Sequence, residues 1–366
     1  MKAFKFFMPT HIVFGKDCIL NNAEMFKSVG TKALIVTGKN SAKANGSLAD
    51  VTAALDKCGI GYVVFDRVEE NPTIETVLEM RKLGLDEKVD FAIGIGGGSS
   101  MDAAKAAACF IKNPDKGANE FLASEMKTFI PIIAVPTTAG TGSETTPYAV
   151  ITFHELKTKV SPGRNMFPAI SFLDAKYMMN MSDVVTNNTS IDALMHLVES
   201  YMNKHSFSLQ EMLAEDALKL IAECLPKLKS RECDFETREK LLLASTIAGM
   251  VISNCDTSLP HGMGYMPTYY KGVPHGRANA LFAREYLKLY IGDPKLDKLL
   301  GMLAFKDVDA FGDFIDGLLI NDEVYTEEDL KIFTDSVFKN KAKLSTLKVE
   351  LSWDDLYNIF KNSLIK

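Results

Sequence analysis

Short apolar runs alternate with helical patterns along the first half of the chain. Four of these runs are apolar on both faces and rich in β-branched residues, at 33–37, 62–65, 91–95 and 131–135. Strands that are covered on both faces and separated by helices are typical of a parallel sheet. The pattern therefore predicts an α/β domain, in which ligands bind at the carboxyl ends of the strands.

The pattern changes after Asp174. From about Met181 onward, long amphipathic stretches follow one another, among them 208–228, 236–251 and 353–364, and no segment between them has a convincing strand pattern. We therefore predict two domains, an α/β domain at 1–178 and an all-helical domain at 179–366.

Composition and charge restrict the class of protein. With 366 residues, of which 47% are hydrophobic and 24% charged, the chain has enough apolar material for two globular domains. A net charge of −6 and the lack of any Lys/Arg cluster argue against nucleic acid or an anionic membrane as a partner. The longest apolar run, 91–111, contains Asp102 and Lys105, so it predicts a strand, a loop and a helix rather than a membrane span. The six scattered cysteines include no C-x-x-C pair and indicate buried, reduced thiols of a cytoplasmic protein.

A carboxylate and an imidazole with metal-ligand spacing occur in the stretch 186–201. Asp192 and His196 are four residues apart, which places both on one face of a helix, one turn apart. Ser190 or Thr189 is expected to cap the start of this helix. An Asp and a His at this spacing are more often a hydrogen-bonded surface pair than half of a metal site, so the pair alone does not decide between the two.

Two further histidines strengthen the metal interpretation. His261 and His275 each follow a proline and precede a glycine, which lets the backbone approach a ligand closely. With Asp192 and His196 they form a set of three nitrogens and one oxygen, which suits Fe2+ or Zn2+. The lack of thiolates in this set argues against a purely structural zinc.

A glycine-rich turn follows the third predicted strand. Gly97, Gly98 and Ser99 stand between that strand and an alanine-rich helix, and backbone amides at such a helix N-terminus bind phosphate. The motif lacks the last glycine of the usual dinucleotide fingerprint, and a flexible strand-to-helix turn is the alternative. We favour phosphate binding because a turn of three glycines is costly unless the backbone must meet a ligand.

The fourth predicted strand leads into a loop, 136–147, that is rich in hydroxyl side chains, including Thr137, Thr138, Thr141 and Ser143. We interpret this loop as a second polar segment that approaches a ligand. The alternative is a surface loop whose Ser and Thr side chains bond to their own backbone.

These motifs, in this order, resemble the iron-containing (group III) alcohol dehydrogenases. The matching stretches are G-G-G-S-S-M-D-A-A-K, P-T-T-A-G-T-G-S-E, I-D-A-L-M-H-L-V-E-S-Y, H-G-M-G-Y and P-H-G-R-A-N-A, and the resemblance covers essentially the whole chain. It implies a Rossmann-like dinucleotide-binding domain with a parallel sheet, an all-helical metal-binding domain, and an active-site cleft between them. It also implies a homodimer, for which the N-terminal segment 2–13 is the predicted contact.

The resemblance assigns roles to individual residues. It implies metal ligands at Asp192, His196, His261 and His275, a pyrophosphate turn at Gly97, Gly98 and Ser99, and a nicotinamide side near Asp102, Thr137, Thr138, Thr141 and Ser143. Asn71 and Lys159 are assigned to the cofactor as well. Iron is favoured over zinc through the resemblance alone. No catalytic residue beyond the metal ligands is required, because the metal activates the substrate oxygen and the nicotinamide carries the hydride.

The turn after the first predicted strand indicates which nicotinamide cofactor is used. NAD enzymes commonly place an acidic residue here to bond the ribose 2′-hydroxyl. Gly38 occupies this position and is followed by Lys39, Asn40, Ser41 and Lys43, which offer hydrogen-bond donors and two cations to a phosphate. We therefore predict NADP rather than NAD, and a solvated turn without contact to the cofactor is the alternative.

The leading function is a metal-dependent alcohol dehydrogenase or aldehyde reductase that acts on a small alcohol or aldehyde. A glycerol dehydrogenase-like enzyme, a dehydroquinate synthase-like lyase and a catalytically silent binding protein are the alternatives. The lyase would need cations that converge on a phosphate, and the stretches around the metal histidines offer only Lys271 and Arg277.

The remaining aromatic and histidine positions carry less information. Tyr265 stands where many family members have a second histidine, so a histidine proton relay is not expected there. His11, His154 and His205 have no motif around them and are interpreted as surface or satisfied core groups.

Overall fold

The computed structural model describes residues 3–156, 158–161, 165–320 and 322–365. Its backbone contacts divide the chain into two compact units. One comprises Met8–Met181 and Asp234–Leu242, and the other comprises Met1–Phe7, Ser182–Cys233 and Leu243–Lys366. The sequence-based division into domains at 1–178 and 179–366 stays a prediction, and two short segments are grouped across it.

The first unit, which we call the α/β unit, alternates strands and helices. Its strands are β1 (His11–Phe14), β2 (Lys32–Thr37), β3 (Gly61–Phe65), β4 (Phe91–Gly96), β5 (Ile132–Pro136), β6 (Ile151–Phe153), β7 (Thr158–Val160) and β8 (Ile170–Leu173). Its helices are α1 (Cys18–Asn21), α2 (Ser41–Ala44), α3 (Ser47–Cys58), α4 (Ile74–Asp86), α5 (Gly98–Lys112) and α6 (Ala118–Leu122).

Six of the strands form one parallel sheet in the order β1-β8-β5-β4-β2-β3. The four predicted strands are confirmed as β2, β3, β4 and β5, and they are neighbours in the sheet, in the order β5-β4-β2-β3. Strands β1 and β8, which pair with each other, were not predicted, because each is only four residues long and shows too little periodicity to recognise. The short antiparallel pair β6–β7 was not predicted either.

Both faces of the sheet are covered, as the doubly apolar strands predicted. Along β2, Leu34 and Val36 belong to one buried cluster, and Ala33 and Ile35 belong to another on the opposite face. Helix α5 packs so closely that a Cβ added to Gly94 of β4 would lie 2.8 Å from a Cα atom of the helix. The alanines of α5 make this approach possible, and residues 100–111 are all buried.

The second unit, which we call the helical unit, contains no strand among its described residues, as predicted. Its helices, together with α9, which is shared with the α/β unit, are α7 (Asp183–Met202), α8 (Ser208–Ser230), α9 (Phe235–Cys255), α10 (Leu259–Lys271), α11 (His275–Ala280), α12 (Ala283–Lys288), α13 (Pro294–Met302), α14 (Val308–Leu318), α15 (Glu327–Lys339), α16 (Lys341–Leu344) and α17 (Trp353–Leu364). No helix in the described part of the chain is both long and apolar enough to cross a membrane.

Helix α7 begins earlier than the sequence analysis expected. Its N-cap is Ser182, whose hydroxyl accepts a hydrogen bond from the N–H of Val185 at 3.3 Å. The expectation that Thr189 or Ser190 caps the helix is therefore wrong. Thr189 lies inside the helix, where its hydroxyl donates to the carbonyl of Val185, and Ser190 is 1% exposed.

Candidate metal centre and cofactor site

Helix α7 carries three acidic or imidazole side chains on one buried face. Asp192, His196 and Glu199 follow the spacing of four and three residues that keeps side chains on the same side of a helix. Their exposed fractions are 2%, 4% and 0%. Charged groups this deeply buried need a partner, which makes this face a site rather than a surface pair.

Two glycines let the helix that carries His275 approach its neighbours. A Cβ added to Gly276 of α11 would lie 2.0 Å from the carbonyl oxygen of Asn188 and 2.8 Å from Cβ of Asp192, both on α7. A Cβ added to Gly264 of α10 would lie 2.1 Å from a side-chain atom of α11. Because neither glycine has a side chain, α11 fits between α7 and α10.

This packing brings together ligands from three helices. One ligand atom each from Asp192, His261 and His275 lies within 4.8 Å of the others. Nε2 of His261 is 3.5 Å from Oδ1 of Asp192 and makes no hydrogen bond to any described residue. His196 is not part of this closest set, but its ring stacks on that of His261 with centroids 4.4 Å apart. The assignment of all four as ligands stays a prediction.

Glu199, which the sequence analysis did not select, holds His261 in place. Its Oε1 is 2.5 Å from Nδ1 of His261, and its Oε2 accepts the backbone N–H groups of Ser258 and His261 at 2.7 and 3.3 Å. A carboxylate on Nδ1 favours a proton there and fixes the ring so that Nε2 lies on the side of Asp192. The signal that could have revealed Glu199 is its position seven residues after Asp192, on the same helix face.

Asn279 and Tyr265 complete the surroundings of the cluster. Nδ2 of Asn279 donates to Oδ1 of Asp192 at 3.0 Å and lies 3.3 Å from Nε2 of His275. The ring of Tyr265 stacks on that of His275, with centroids 5.8 Å apart. Asn279 therefore orients the carboxylate of a candidate ligand, and Tyr265 places an aromatic ring against His275.

The electrostatics of the cluster fit a bound cation. Burial disfavours the imidazolium form of His261, but the carboxylates of Glu199 and Asp192 outweigh burial and raise the pKa of His261 to about 9. Burial also opposes ionisation of Asp192, but His196 and His275 hold the pKa of Asp192 well below its ordinary value. Two buried carboxylates thus attract positive charge to a place lined with imidazole nitrogens. This donor set fits a divalent first-row metal.

The other histidines and the nearby cations lie outside this cluster. His11, His154 and His205 are exposed, in agreement with the surface interpretation. The ammonium of Lys271 is 2.9 Å from Asp329, and the guanidinium of Arg277 pairs with Glu323. These two cations are neutralised by carboxylates and do not form a phosphate site.

The predicted cofactor segments meet at the carboxyl edge of the sheet. In the register of the strands, Thr37 pairs with Ile95, and Gly96 pairs with Pro136, so the turns after β2, β4 and β5 lie side by side. From β2 the chain moves toward β3, and from β4 it moves toward β5, in the opposite direction. Such a switch point is where open parallel sheets bind ligands.

The glycine turn lies directly against the hydroxyl-rich loop. A Cβ added to Gly97 would be 3.2 Å from Oγ1 of Thr138, and one added to Gly98 would be 2.7 Å from Cγ2 of Thr141. Any side chain at Gly98 would therefore press on the loop as well as cover the first amides of α5.

Asn71 and Lys159 lie beside the same turn. The N–H of Asn71 donates to Oγ of Ser99 at 3.3 Å, and Nζ of Lys159 donates to Oδ1 of Asn71 at 2.6 Å. Asn71 adopts a left-handed backbone conformation, with φ of 57°. The structure thus groups three residues that the sequence analysis assigned to the cofactor, although they are far apart in the chain.

Asp102, Ser143 and Thr137 are engaged inside the unit. Oδ1 of Asp102 accepts from the hydroxyl of Ser143 at 2.5 Å, and Oδ2 accepts from the N–H of Val150 at 2.9 Å. The N–H of Thr137 donates to the carbonyl of Gly96 at 2.9 Å, and Thr137 is 4% exposed. Their assignment as direct cofactor contacts stays a prediction.

The turn predicted to bind a 2′-phosphate follows β2 and continues into α2. Gly38, Asn40 and Ser41 lie here, and a Cβ added to Gly38 would meet only the carbonyl oxygen of Val68, at 3.5 Å. Lys43 pairs with Asp66, the residue after β3, at 2.5 Å. The turn itself has no acidic residue, but an acidic residue from the neighbouring strand reaches one of its two lysines.

Comparison with known proteins agrees with this architecture. The family model "Iron-containing alcohol dehydrogenase" matches residues 9–175, and the model "Fe-containing alcohol dehydrogenase family, C-terminal" matches residues 186–364. Lactaldehyde reductase of Escherichia coli (strain K12) is 36% identical, over 75% of this chain and 72% of the relative. NADPH-dependent butanol dehydrogenase of Clostridium saccharobutylicum is 32% identical, over 78% of this chain and 73% of the relative.

A solved structure gives the same result. The crystal structure of an iron-containing alcohol dehydrogenase from Thermotoga maritima superposes with a TM-score of 0.92 and 36% identity, and 99% of each chain is covered. The names of the relatives include both NADPH-dependent and NAD-dependent enzymes, so the similarity does not select between the two cofactors. The chain belongs to the iron-containing alcohol dehydrogenase family, whose members are metal-dependent oxidoreductases.

Proposed function

We propose that this protein interconverts a small alcohol and its aldehyde with NADPH as the preferred cofactor, and that it binds iron through Asp192, His196, His261 and His275. The observation that carries the proposal is the buried cluster in which Nε2 of His261 faces Oδ1 of Asp192 at 3.5 Å. A divalent metal would supply Lewis acidity toward the substrate oxygen there, while the nicotinamide exchanges the hydride.

The protein's own groups prepare this cluster. Glu199 holds the Nδ1 proton of His261, so Nε2 is the ring nitrogen that a metal would bind in place of a proton. Asn279 donates to Asp192 and keeps one carboxylate oxygen oriented. Because the side chains of Glu199, His261, Asn279 and Asp192 are almost fully buried, water does not compete for their hydrogen bonds.

Removing one ligand tests the metal assignment. His261→Ala is expected to lower both metal content and turnover steeply, whereas His205→Ala, at an exposed histidine, should change neither. Elemental analysis after purification without oxygen measures occupancy and identifies iron or zinc. Full occupancy and normal turnover in His261→Ala would contradict the assignment.

The NADPH preference is supported by the turn after β2, where Gly38 leaves room and Lys39, Asn40 and Ser41 offer donors without an acidic residue. Asp66 opposes it, because it pairs with Lys43 on the surface. We measure kcat/KM for NADPH and NADH on one aldehyde in three proteins. Gly38→Asp should shift the preference toward NADH, and Asp66→Asn should shift it toward NADPH. A wild type that prefers NADH would contradict the NADPH proposal.

The lyase alternative has no support in the structure. Its phosphate would need Lys271 and Arg277, and both cations are paired with carboxylates. A catalytically silent binding protein would lack a ligand, and all four candidates are present. Oxidation of simple alcohols, followed at the absorbance of reduced nicotinamide, distinguishes these alternatives from the proposed function.

We further propose that the protein is a cytoplasmic homodimer. Strand β1 is at the edge of the sheet and pairs only with β8 among the described strands, so its outer edge offers backbone groups to a second copy. Lys2, which belongs to the predicted contact segment 2–13, lies outside the described residues. No disulfide joins any of the six cysteines, all of which are described, although Cys58 and Cys233 are half-buried rather than buried. Light scattering at several concentrations measures the oligomeric state, and a monomer would contradict the dimer.

A further inference from the structure

We propose that Lys105 is a positioning residue for the dinucleotide, because it fastens the loop 137–148 against the glycine turn that binds the cofactor. The inference rests on the proposed function. It concerns a lysine that has no role in the metal cluster and that does not reach the surface, since its exposed fraction is 0%.

The ammonium of Lys105 is bound almost entirely by one loop. Nζ donates to the carbonyl oxygens of Ser143, Thr146 and Tyr148 at 2.6, 2.9 and 2.9 Å, and to the hydroxyl of Ser143 at 2.7 Å. These carbonyls come from six consecutive residues, so a single side chain sets the path of the backbone through 143–148. A buried ammonium is tolerated only when its donors are satisfied in this way.

Asp102, one turn earlier on α5, holds the same loop from a second point. Its carboxylate accepts the hydroxyl of Ser143 and the N–H of Val150, and its Oδ1 is 3.9 Å from Nζ of Lys105. Ser143 thus bridges the two charged groups, as it accepts from Lys105 and donates to Asp102. Removing either charge would take away the opposite charge that acts most strongly on the other buried group.

The loop that Lys105 holds also covers the start of α5. Thr138 and Thr141 lie against Gly97 and Gly98. A Cβ added to Gly97 would be 3.2 Å from Oγ1 of Thr138, and one added to Gly98 would be 2.7 Å from Cγ2 of Thr141. The first turn of α5 therefore lies next to the loop. Asp102 and Lys105, further along the same helix, bind the loop and so fix its distance from the backbone amides of that first turn. A pyrophosphate needs that clearance to be constant, because its bonds to backbone amides are short and directional.

The alternative interpretation is that Lys105 only stabilises the α/β unit. The two interpretations predict different affinities for NADPH when Lys105 is replaced. A purely structural lysine lowers the unfolding temperature when it is replaced, but the protein that remains folded binds NADPH as before. A positioning lysine changes the affinity of folded protein well below its unfolding temperature.

The test uses the full-length, metal-loaded protein with Lys105→Met, which keeps an unbranched side chain one atom shorter and removes the charge. We expect the Kd and KM for NADPH to rise about 10- to 100-fold, since small misplacements of a binding group have effects of this size. The kcat at saturating NADPH should change less than about threefold, and metal content should stay normal, because the metal ligands are on other helices. Lys112→Met, at the exposed end of the same helix, is the matched control.

The NADPH affinity of the variants decides whether Lys105 positions the cofactor. An NADPH Kd within about twofold of wild type in folded Lys105→Met would overturn the inference and leave the proposed function intact. A wild type that binds neither NADPH nor NADH would overturn both. If Lys105→Met does not fold, Ser143→Ala removes the bridging hydroxyl but keeps the three carbonyl bonds. It should raise the Kd about 3- to 10-fold, and an unchanged Kd there would overturn the inference.

Discussion

At the scale of single residues, the candidate metal ligands are positioned by side chains that do not themselves belong to the candidate ligand set. Glu199 accepts hydrogen bonds from Nδ1–H of His261 and from two backbone N–H groups, so one carboxylate positions both the imidazole of His261 and the start of its helix. Asn279 likewise orients Asp192, by donating a hydrogen bond to its Oδ1. Supporting groups of this kind commonly alter metal affinity by an order of magnitude or more when they are lost.

Replacing Glu199 tests this dependence. Glu199→Gln keeps the shape of the side chain but loses the charge that holds the Nδ1 proton of His261. We expect the metal affinity, measured by competition with a chelator, to fall about 10- to 100-fold. Glu215→Gln, which changes a carboxylate bonded to Tyr201 and Lys298 away from the histidines, should leave the affinity unchanged. Equal affinities in wild type and Glu199→Gln would show that Glu199 does not orient the ligand.

At the scale of elements, the site is made by the insertion of the short helix α11 between α7 and α10. Its six residues, His275–Ala280, are too few to form a stable helix alone, so packing holds it in place. Gly276 faces Asn188 and Asp192, and Gly264 of α10 faces α11 from the other side. Gly276, from the second Pro-His-Gly stretch, and Gly264, two residues after the first, thus act through the packing space that they leave.

Filling that space tests the argument. In Gly276→Ala the added Cβ would lie 2.0 Å from a backbone oxygen that cannot yield easily, so α11 and His275 must shift. We expect a loss of metal affinity and a destabilisation of about 1–3 kcal/mol, as is typical of overpacking. Gly317→Ala on α14 is the control, since a Cβ there meets nothing within 4 Å. It should be neutral or stabilise by up to about 1 kcal/mol. Thermal unfolding and chelator competition measure both effects.

A carboxylate joins the amino ends of two neighbouring strands, β2 and β4. Asp90, just before β4, accepts the N–H groups of Thr31 and Lys32 and the hydroxyl of Thr31 at 2.7–2.9 Å. Burial opposes the ionised form, but these bonds outweigh burial and hold the pKa of Asp90 below its ordinary value of 3.8. The contribution of Asp90 to stability is therefore present above pH 3.8 and is lost as the pH falls through the lower, folded value.

Asp90→Asn should accordingly cost about 1 kcal/mol at pH 7, because the charge assistance of its hydrogen bonds is removed. The difference from wild type should shrink as the pH falls below about 4. Urea unfolding at several pH values measures it. Asp86→Asn, at an exposed pair with Lys82, should have a smaller effect at every pH. A difference that does not depend on pH would mean that the charge of Asp90 is not what stabilises the pairing.

At the scale of the whole molecule, the chemistry is divided between two compact units. The candidate metal ligands all belong to the helical unit, and the glycine turn with Asn71 and Lys159 belongs to the α/β unit. Each unit has its own covered interior, and each contributes groups that the sequence alone could name.

Removal of the metal and addition of NADPH should therefore affect different parts of the chain. Because bound ligand stabilises the segments that hold it, by about 2.7 kcal/mol at a hundredfold excess over Kd, chelation should raise amide hydrogen exchange most strongly in α7, α10 and α11. Addition of NADPH should lower exchange most strongly in the turn before α5 and in the loop 137–148. Exchange measured by mass spectrometry tests both expectations. Chelation that loosened only the α/β unit would contradict the metal assignment.

The sequence by itself determined four strands of the sheet, the long helices of the second half and the list of candidate ligands. The strands β2 to β5, the long helices of the second half and the one-face spacing of Asp192 and His196 all follow from short-range periodicity, which local backbone geometry dictates. The predictions that failed or were missed are those for which that signal is weak. The strands β1 and β8 are four residues long, and the start of α7 lies beyond the stretch from which the helix was recognised.

Only the tertiary structure decided which groups serve each other. Glu199 reaches His261 across 62 residues, Asn279 reaches Asp192 across 87, and Lys105 reaches Ser143 across 38. Lys43 meets Asp66 from the neighbouring strand, which qualifies an interpretation of the turn based on its own residues alone. A sequence states which side chains can bond, but burial removes water as a partner and leaves each polar group to those that packing brings within about 3 Å.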